Sequence, residues 1–349
     1  MDKFYDGLKV SNNALIECVP NISTGKNPYL IERIKGTIAR SAEVELLHLE
    51  QNYDAQRSVL TLAGSITGIF RIIDSLIDEI QGKINMSDYR GVHPSIGALD
   101  VLPFVPLFGI DKDELVRIVR KFSKYLSDKY SLPIYYYGAI SNSKNHLSQI
   151  RAGGYEGYQA RIRDGLLLPD IYPYKCNLQM GATSVTVREL MVAFNLDINT
   201  QDIAVAKKIA RRIREVRDKS VTRADTTDWA AGLNLQGLKV LAWEMKEFGC
   251  CQISTNIYNV LQLSLRDVFE LVDQYAQTLN IRVTGSELIG MAPMISFSTR
   301  NSNFILEEAI SRLKLDVREP FHPRERILEY KLEDVGMYNK LMKSSVIGL

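Results

Sequence analysis

The chain has little cysteine and almost no net charge. Its four cysteines (Cys18, Cys176, Cys250, Cys251) include no C-x-x-C pair. Zinc and disulfide frameworks are therefore not expected, and a reducing compartment fits. Lys and Arg number 43 against 41 Asp and Glu, a formal net charge of +2. Nothing global points to nucleic acid. No run of about 18 apolar residues is present, so no membrane span is expected. The opening Met1-Asp2-Lys3 leads into no apolar stretch. That predicts no cleaved leader and a cytoplasmic setting. What remains is ordinary globular composition, 46% hydrophobic and 24% charged. At 349 residues the chain is long for one domain, which predicts two domains or two halves.

Residues 1–13 are polar and read as a frayed end. A first strand is expected over 14–20, then a polar turn with Ser23 or Asn27 as cap for a helix over 28–42, where Pro28 suits the first turn. Strands follow at 44–49 and 57–63. Residues 66–81 place Ile69, Ile72, Ile73, Leu76, Ile77 and Ile80 at helical spacing. Next come a strand at 99–106, a charged helix at 111–129 and a short aromatic strand at 133–137. Residues 138–180 hold Gly153-Gly154, several tyrosines and two prolines, and read as a long connection with little regular structure. The order β-α-β-β-α-β is the ferredoxin-like pattern.

From Gly181 the pattern restarts. Strands are expected at 184–188 and 191–195, a helix at 202–219, strands at 238–245 and 250–260, a helix at 264–279, a strand at 281–290 and a last helix at 302–315. No residue-level repeat links the halves, so the duplication rests on pattern alone.

His93 lies between Gly91 and Pro94 on a loop that enters the apolar strand Ala98-Leu-Asp-Val-Leu-Pro-Phe-Val. A histidine on a loop beside a strand is placed for proton transfer near neutral pH. On local features alone it is more often a satisfied surface or core group. The helix 207–219 carries seven cations (Lys207, Lys208, Arg211, Arg212, Arg214, Arg217, Lys219) and suits an acidic partner, though a solvated face is the commoner reading of such a run. RNA remains an option that no recognised RNA-binding motif supports.

Gly91-x-His-Pro-x-x-Gly-Ala-Leu-Asp-Val-x-Pro-Phe-x-Pro106 resembles the signature of the glutamate formiminotransferases, the formiminotransferase half of formiminotransferase-cyclodeaminase. So do Glu17-Cys-Val-Pro-Asn-Ile-Ser-x-Gly-Lys26, Ile150-Arg-Ala-Gly-x-Tyr-Glu156, Gly181-Ala-Thr183 with Arg188, Ala193-Phe-Asn195, Gln252-Ile-Ser-Thr-Asn256, Gly285-Ser-Glu-Leu-Ile-Gly290, Phe304-Ile-Leu-Glu-Glu308 and Pro323-x-Glu-Arg-Ile-x-Glu-Tyr330. The matches run in order over about residues 14–332, and the cyclodeaminase part is absent.

The resemblance implies an α/β (α+β) fold of two ferredoxin-like subdomains, 14–180 and 181–332, forming a folate cleft, with a tail at 333–349. It implies transfer of a formimino group from N-formimino-glutamate to N5 of tetrahydrofolate, a cosubstrate, with no metal. That reaction belongs to one-carbon metabolism and histidine catabolism. His93 takes the family's catalytic position as general acid/base, and Glu50 the position of its carboxylate partner, where the family usually has Asp. Arg57, Arg90 and Ser95 fall at substrate-binding positions. Tyr172, Tyr174, Gly181, Ala182 and Arg188 fall at or near the folate-binding stretch. The basic helix then suits a folate polyglutamate tail or the glutamate product. The resemblance also implies a homodimer, with neither nucleic acid nor membrane as partner.

The chain departs from the family at several places. Ser95 stands where the family has Arg after His-Pro, His48 where it has Asp, and Thr186 where it has Gly. Residues 219–237 look longer than the family's loop. Because the changes gather around the presumed site, two alternatives stay open. One is formyl transfer between 5-formyltetrahydrofolate and glutamate. The other is a folate-binding paralogue without turnover.

Overall fold

The computed structural model describes residues 3–8, 10–11, 13–53, 55–143, 145–219, 233–245, 248–298 and 305–337. The chain divides into two compact units, one ending at Glu189 and the other beginning at Leu190.

In the first unit, α1 (Lys3–Asp6) precedes β1 (Leu15–Cys18) and β2 (Asn21–Ile22). The single strand expected over 14–20 is interrupted at Val19–Pro20, because proline cannot donate to a ladder. Then come α2 (Pro28–Ala39), β3 (Val44–Asn52), β4 (Arg57–Gly64), α3 (Ile66–Ile80) and β5 (Leu99–Phe108). β1 lies between β4 and β5, and β3 sits outside β4, all antiparallel. This is the ferredoxin-like order of a βαββαβ unit. Asn27 caps α2 through its side chain, and Pro28 opens the helix. Ser65 caps α3, whose Ile66, Ile69, Phe70, Ile73, Leu76, Ile77 and Ile80 are buried.

The unit then adds α4 (Lys112–Tyr130), β6 (Ile134–Tyr136), α5 (Leu147–Ile150), α6 (Gly154–Arg163) and β7 (Thr183–Val187). β7 lies between β5 and β6 and is parallel to both. Two expectations change here. Among its described residues the 138–180 connection contains two α-helices and a 3-10 turn, and in α6 Tyr155 and Tyr158 bury themselves one helical turn apart behind a left-handed Gly153. Residues 183–187 belong to the first sheet, because the second half's pattern restarts at the following strand. The core lies between the helices and one sheet face, where Phe70 of α3 stacks on Phe122 of α4 with centroids 3.9 Å apart.

The second unit runs β8 (Val192–Ile198), α7 (Ile203–Lys219), β9 (Leu238–Met245), β10 (Cys250–Ile257), α8 (Leu265–Gln277) and β11 (Val283–Ile289). Its sheet order, β11-β8-β10-β9, repeats the ferredoxin-like arrangement. Phe194, Leu196, Ile253 and Val240 pack against α7 and α8. The other face is polar: Gln252 joins Asp197 and Trp243, and Arg318 pairs with Asp197 while lying over the Phe248 ring. Short helices α9 (Leu306–Leu313), α10 (Pro323–Arg326) and α11 (Leu328–Asp334) complete the unit. Residues 220–232 of the 219–237 segment, the start of the 302–315 helix and the tail from 338 lie outside the described residues. Among those described, no helix is long and apolar enough to cross a membrane.

Candidate functional site

The site assembles on the β3–β4–β2–β5 side of the first sheet. Arg57 opens β4, opposite Asn52 of β3, and Glu50 stands opposite Val59 two residues along. Asn21 also pairs with Val59. Directly opposed residues share a face and every second residue along a strand returns to it, so Arg57, Glu50 and Asn21 project on one side. The β2–β5 register slips here: Ile22 opposes Leu99 while Asn21 opposes Val101. Asp100 is the extra residue of this bulge, and a bulge re-aims the side chain it carries.

The loop bearing His93 is held mostly by backbone contacts. The Ala98 amide donates to the Met180 carbonyl at 2.8 Å, and the Ala182 amide to the Ile96 carbonyl at 3.0 Å. Gly97 and Gly181 face each other at this crossing. A Cβ on Gly97 would fall 2.0 Å from the Ala182 carbonyl oxygen, so only glycine fits. The Tyr89 hydroxyl bonds the Ala55 and His93 carbonyl oxygens at 2.6 and 2.9 Å, joining the loop to the β3–β4 turn.

His93 is half-buried, with Nε2 3.2 Å from Arg57 Nη1. A guanidinium only donates, so Nε2 is the acceptor and the neutral ring carries its hydrogen on Nδ1. Arg57 Nη2 donates to Asn21 Oδ1. Burial first, then the Arg57 and Arg151 charges, push His93 down to about 3, with Asp100 and the Pro94 carbonyl opposing. His93 is therefore neutral at physiological pH. Burial and Arg151 likewise lower Arg57 to about 10, with Asp100 and Glu50 opposing.

Arg151 and Asp100 form a buried ion pair, and Asp100 Oδ1 also accepts the Ile96 amide at 2.9 Å. Arg161 of α6 donates to the Ile150 and Ala152 carbonyls on either side of Arg151. The Nε atoms of Arg57 and Arg151 are buried with no hydrogen-bond partner among the described residues.

The expected residues fare differently. His93 and Arg57 meet, and Glu50 acts electrostatically on Arg57. Arg90 is exposed and turned onto its own loop, donating to the Ser87 and Tyr89 carbonyls. Ser95 is buried and faces inward, 2.5 Å from the Ser23 hydroxyl and 3.1 Å from the Gly97 carbonyl oxygen. Gly181 and Ala182 lie at the loop crossing, and the Ala182 side chain is fully buried. Tyr172 and Tyr174 are exposed. Arg188 reaches toward Glu17 and its own neighbour's carbonyl rather than His93. Asn21, Tyr89, Asp100 and Arg151 were not singled out from sequence. Three of them lie inside the quoted motifs, so the signal was present without a role attached.

Among the described residues, no group of three or more His, Cys, Asp or Glu side chains is placed to hold a metal ion. The arrangement offers a neutral imidazole and two guanidiniums, each of which keeps a buried Nε without a partner among the described residues.

Residues 15–188 match the model of the formiminotransferase domain, N-terminal subdomain, and residues 193–333 that of the formiminotransferase domain. The change from one match to the next falls where the structure divides the chain. Formimidoyltransferase-cyclodeaminase of Mus musculus is 31% identical, over 96% of this chain and 63% of that protein. The Gallus gallus protein of the same name is 32% identical, over 93% of this chain and 62% of its own length. Glutamate formimidoyltransferase of Streptococcus pyogenes serotype M1 is 30% identical, over 80% of this chain and 89% of its own length. The chain thus spans about 63% of the length of the mouse relative.

Proposed function

The chain belongs to the formiminotransferase family, and from that premise we propose that it moves a formimino group from N-formimino-glutamate to N5 of tetrahydrofolate. The observation that supports this best is the neutral, half-buried His93, held on a fixed loop beside a pair of arginines.

The chemistry asks for one proton carrier. N5 of tetrahydrofolate attacks the amidine carbon and must lose its proton. The tetrahedral intermediate then expels the amine of glutamate, which must gain one. A neutral imidazole takes the first proton and returns it to the leaving nitrogen, so the proton count closes without an outside acid. Arg57 and Arg151 supply donors for the carboxylates of the donor, and guanidiniums match carboxylates in a fork. Glu50 partly offsets the Arg57 charge. Folate is the second substrate, and Tyr172 and Tyr174 offer exposed rings for its flat portion. The cellular setting, a homodimer and the acidic partner of α7 stand as parts of the same proposal.

A turnover assay with N-formimino-glutamate and tetrahydrofolate, following the 5,10-methenyl chromophore after acid, tests the reading. The parent should turn over, and His93→Gln should lose about 100-fold or more. No product from the parent, with folate still bound, would leave only a folate-binding role. Product from a formyl donor alone would favour formyl transfer.

A further inference from the structure

We propose that Arg57 masks the His93 lone pair in the free protein, and that a carboxylate bound across Arg57 and Arg151 draws Arg57 away and lets His93 take up its proton. This rests on the transferase reading for the identity of the substrate, but not for the existence of the switch.

The argument starts from the donors. Arg57 has five N–H groups, and the protein occupies it at His93 Nε2 and Asn21 Oδ1. Arg151 is committed to Asp100, and Asp100 is also committed to the Ile96 amide. Each arginine keeps a buried Nε with no acceptor among the described residues. Buried donors are almost always paired, so these guanidinium nitrogens, together with the equally unpaired His93 Nδ1, call for an acceptor from outside the protein, reached once the Arg57 side chain moves. The planar fork selects a carboxylate.

The mask follows from the same geometry. Nε2 is the only ring nitrogen with a lone pair in this tautomer, and Arg57 Nη1 is 3.2 Å from it. A base so engaged cannot accept the N5 proton. The charged and titratable groups around the ring come from every neighbouring element: Arg57 of β4, Arg151 after α5, Asp100 of β5, Tyr89 of the loop, and Glu50 of β3 through Arg57. Two cations outweigh Asp100 at the ring. A bound carboxylate shifts that balance toward the protonated imidazole and competes for Arg57. A formimino donor carries its own carboxylates, so the proton carrier becomes competent only when the donor is seated.

The test reads the imidazole directly. The chain has four histidines, so ring resonances are few, and His93→Gln identifies the one that matters. The ring is titrated by NMR in the free protein and with saturating L-glutamate, which carries the carboxylates of both the donor and the folate tail. The His93 midpoint should rise by about one pH unit or more with glutamate. Arg57→Gln should raise the midpoint in the free protein and abolish the response to glutamate. Arg151→Lys keeps a charge beside Asp100 and so protects the fold, and it should weaken glutamate binding about tenfold. Folic acid in parallel tells the sources apart: a response to glutamate alone assigns the site to the donor, and to folic acid alone, to the folate tail. No rise with either ligand, or a full response in Arg57→Gln, overturns the switch. Turnover without a midpoint rise would leave the transferase reading standing and remove this one. A midpoint rise without turnover would do the reverse.

Discussion

His93 carries two opposite demands, since the burial that positions it also disfavours its charged form. In the unfolded chain the ring protonates near its ordinary 6.5, and in the folded protein only near 3. Between those values the unfolded state binds more protons, so stability falls as pH drops through that window. His93→Gln should remove this share. Denaturant melts from pH 8 to pH 4 should show the variant losing less stability than the parent, and an identical loss would mean the ring is not neutral when folded. Ser95 makes a second residue-scale case. It stands where the resemblance places an arginine, yet its hydroxyl is turned inward onto Ser23 and the Gly97 carbonyl. Ser95→Arg should therefore destabilise by about 3 kcal/mol rather than repair the site, measurable by urea unfolding. That His93 and Arg57 share a site was legible in the sequence, because both fall at positions the resemblance marks. Arg151 and Asp100 were not, although both lie within the quoted motifs, because only the folded chain shows that residues 51 apart in sequence form one buried ion pair.

At the scale of elements, amphipathic helices and alternating strands were the readable part. α3 and α7 lie within two residues of their expected ends, since their buried faces repeat at helical spacing. The bulge at Asp100 had no such period, and neither did the helix after Gly153, where tyrosines and glycines hid the pattern. The loop crossing is the element most exposed to test. Gly97→Ala would press a methyl group against backbone that cannot yield, and should cost about 3 kcal/mol or more with loss of activity. Gly82→Ala, where a Cβ meets nothing but φ is +72°, should cost about 1 kcal/mol and leave turnover intact. The basic helix α7 proves less free than its composition implied. Arg214 and Arg217 donate to the Val240 and Leu238 carbonyls of β9, the edge strand, and so cover an edge that would otherwise invite pairing.

Across the whole molecule, two ferredoxin-like units were foreseeable from the repeated βαββαβ order. The membership of Thr183–Val187 was not, because a strand's partner is a tertiary fact that its own residues do not encode. Each unit also buries a carboxyl: Glu17 in the first and Glu329 in the second, both raised chiefly by burial. The sign here is opposite to that of His93. A raised carboxyl contributes stability at low pH that is lost as pH climbs through its folded value. Glu329→Gln keeps an oxygen for the Met294 amide and should gain stability over the parent as pH rises from 4 to 8, as followed by thermal melts.

The crossing of the His93 loop over residues 180–182 has a consequence for motion. Amides at Met86, Ala98 and Ala182 are donated across it, to Gln179, Met180 and Ile96. Such amides exchange with solvent only when both strands of the crossing part, so a segment without regular secondary structure should show protection typical of a sheet. The same bonds tie the His93 loop to the chain leading into β7. The two segments open together or stay closed together, and deuterium uptake should rise in both under the same conditions and at one rate.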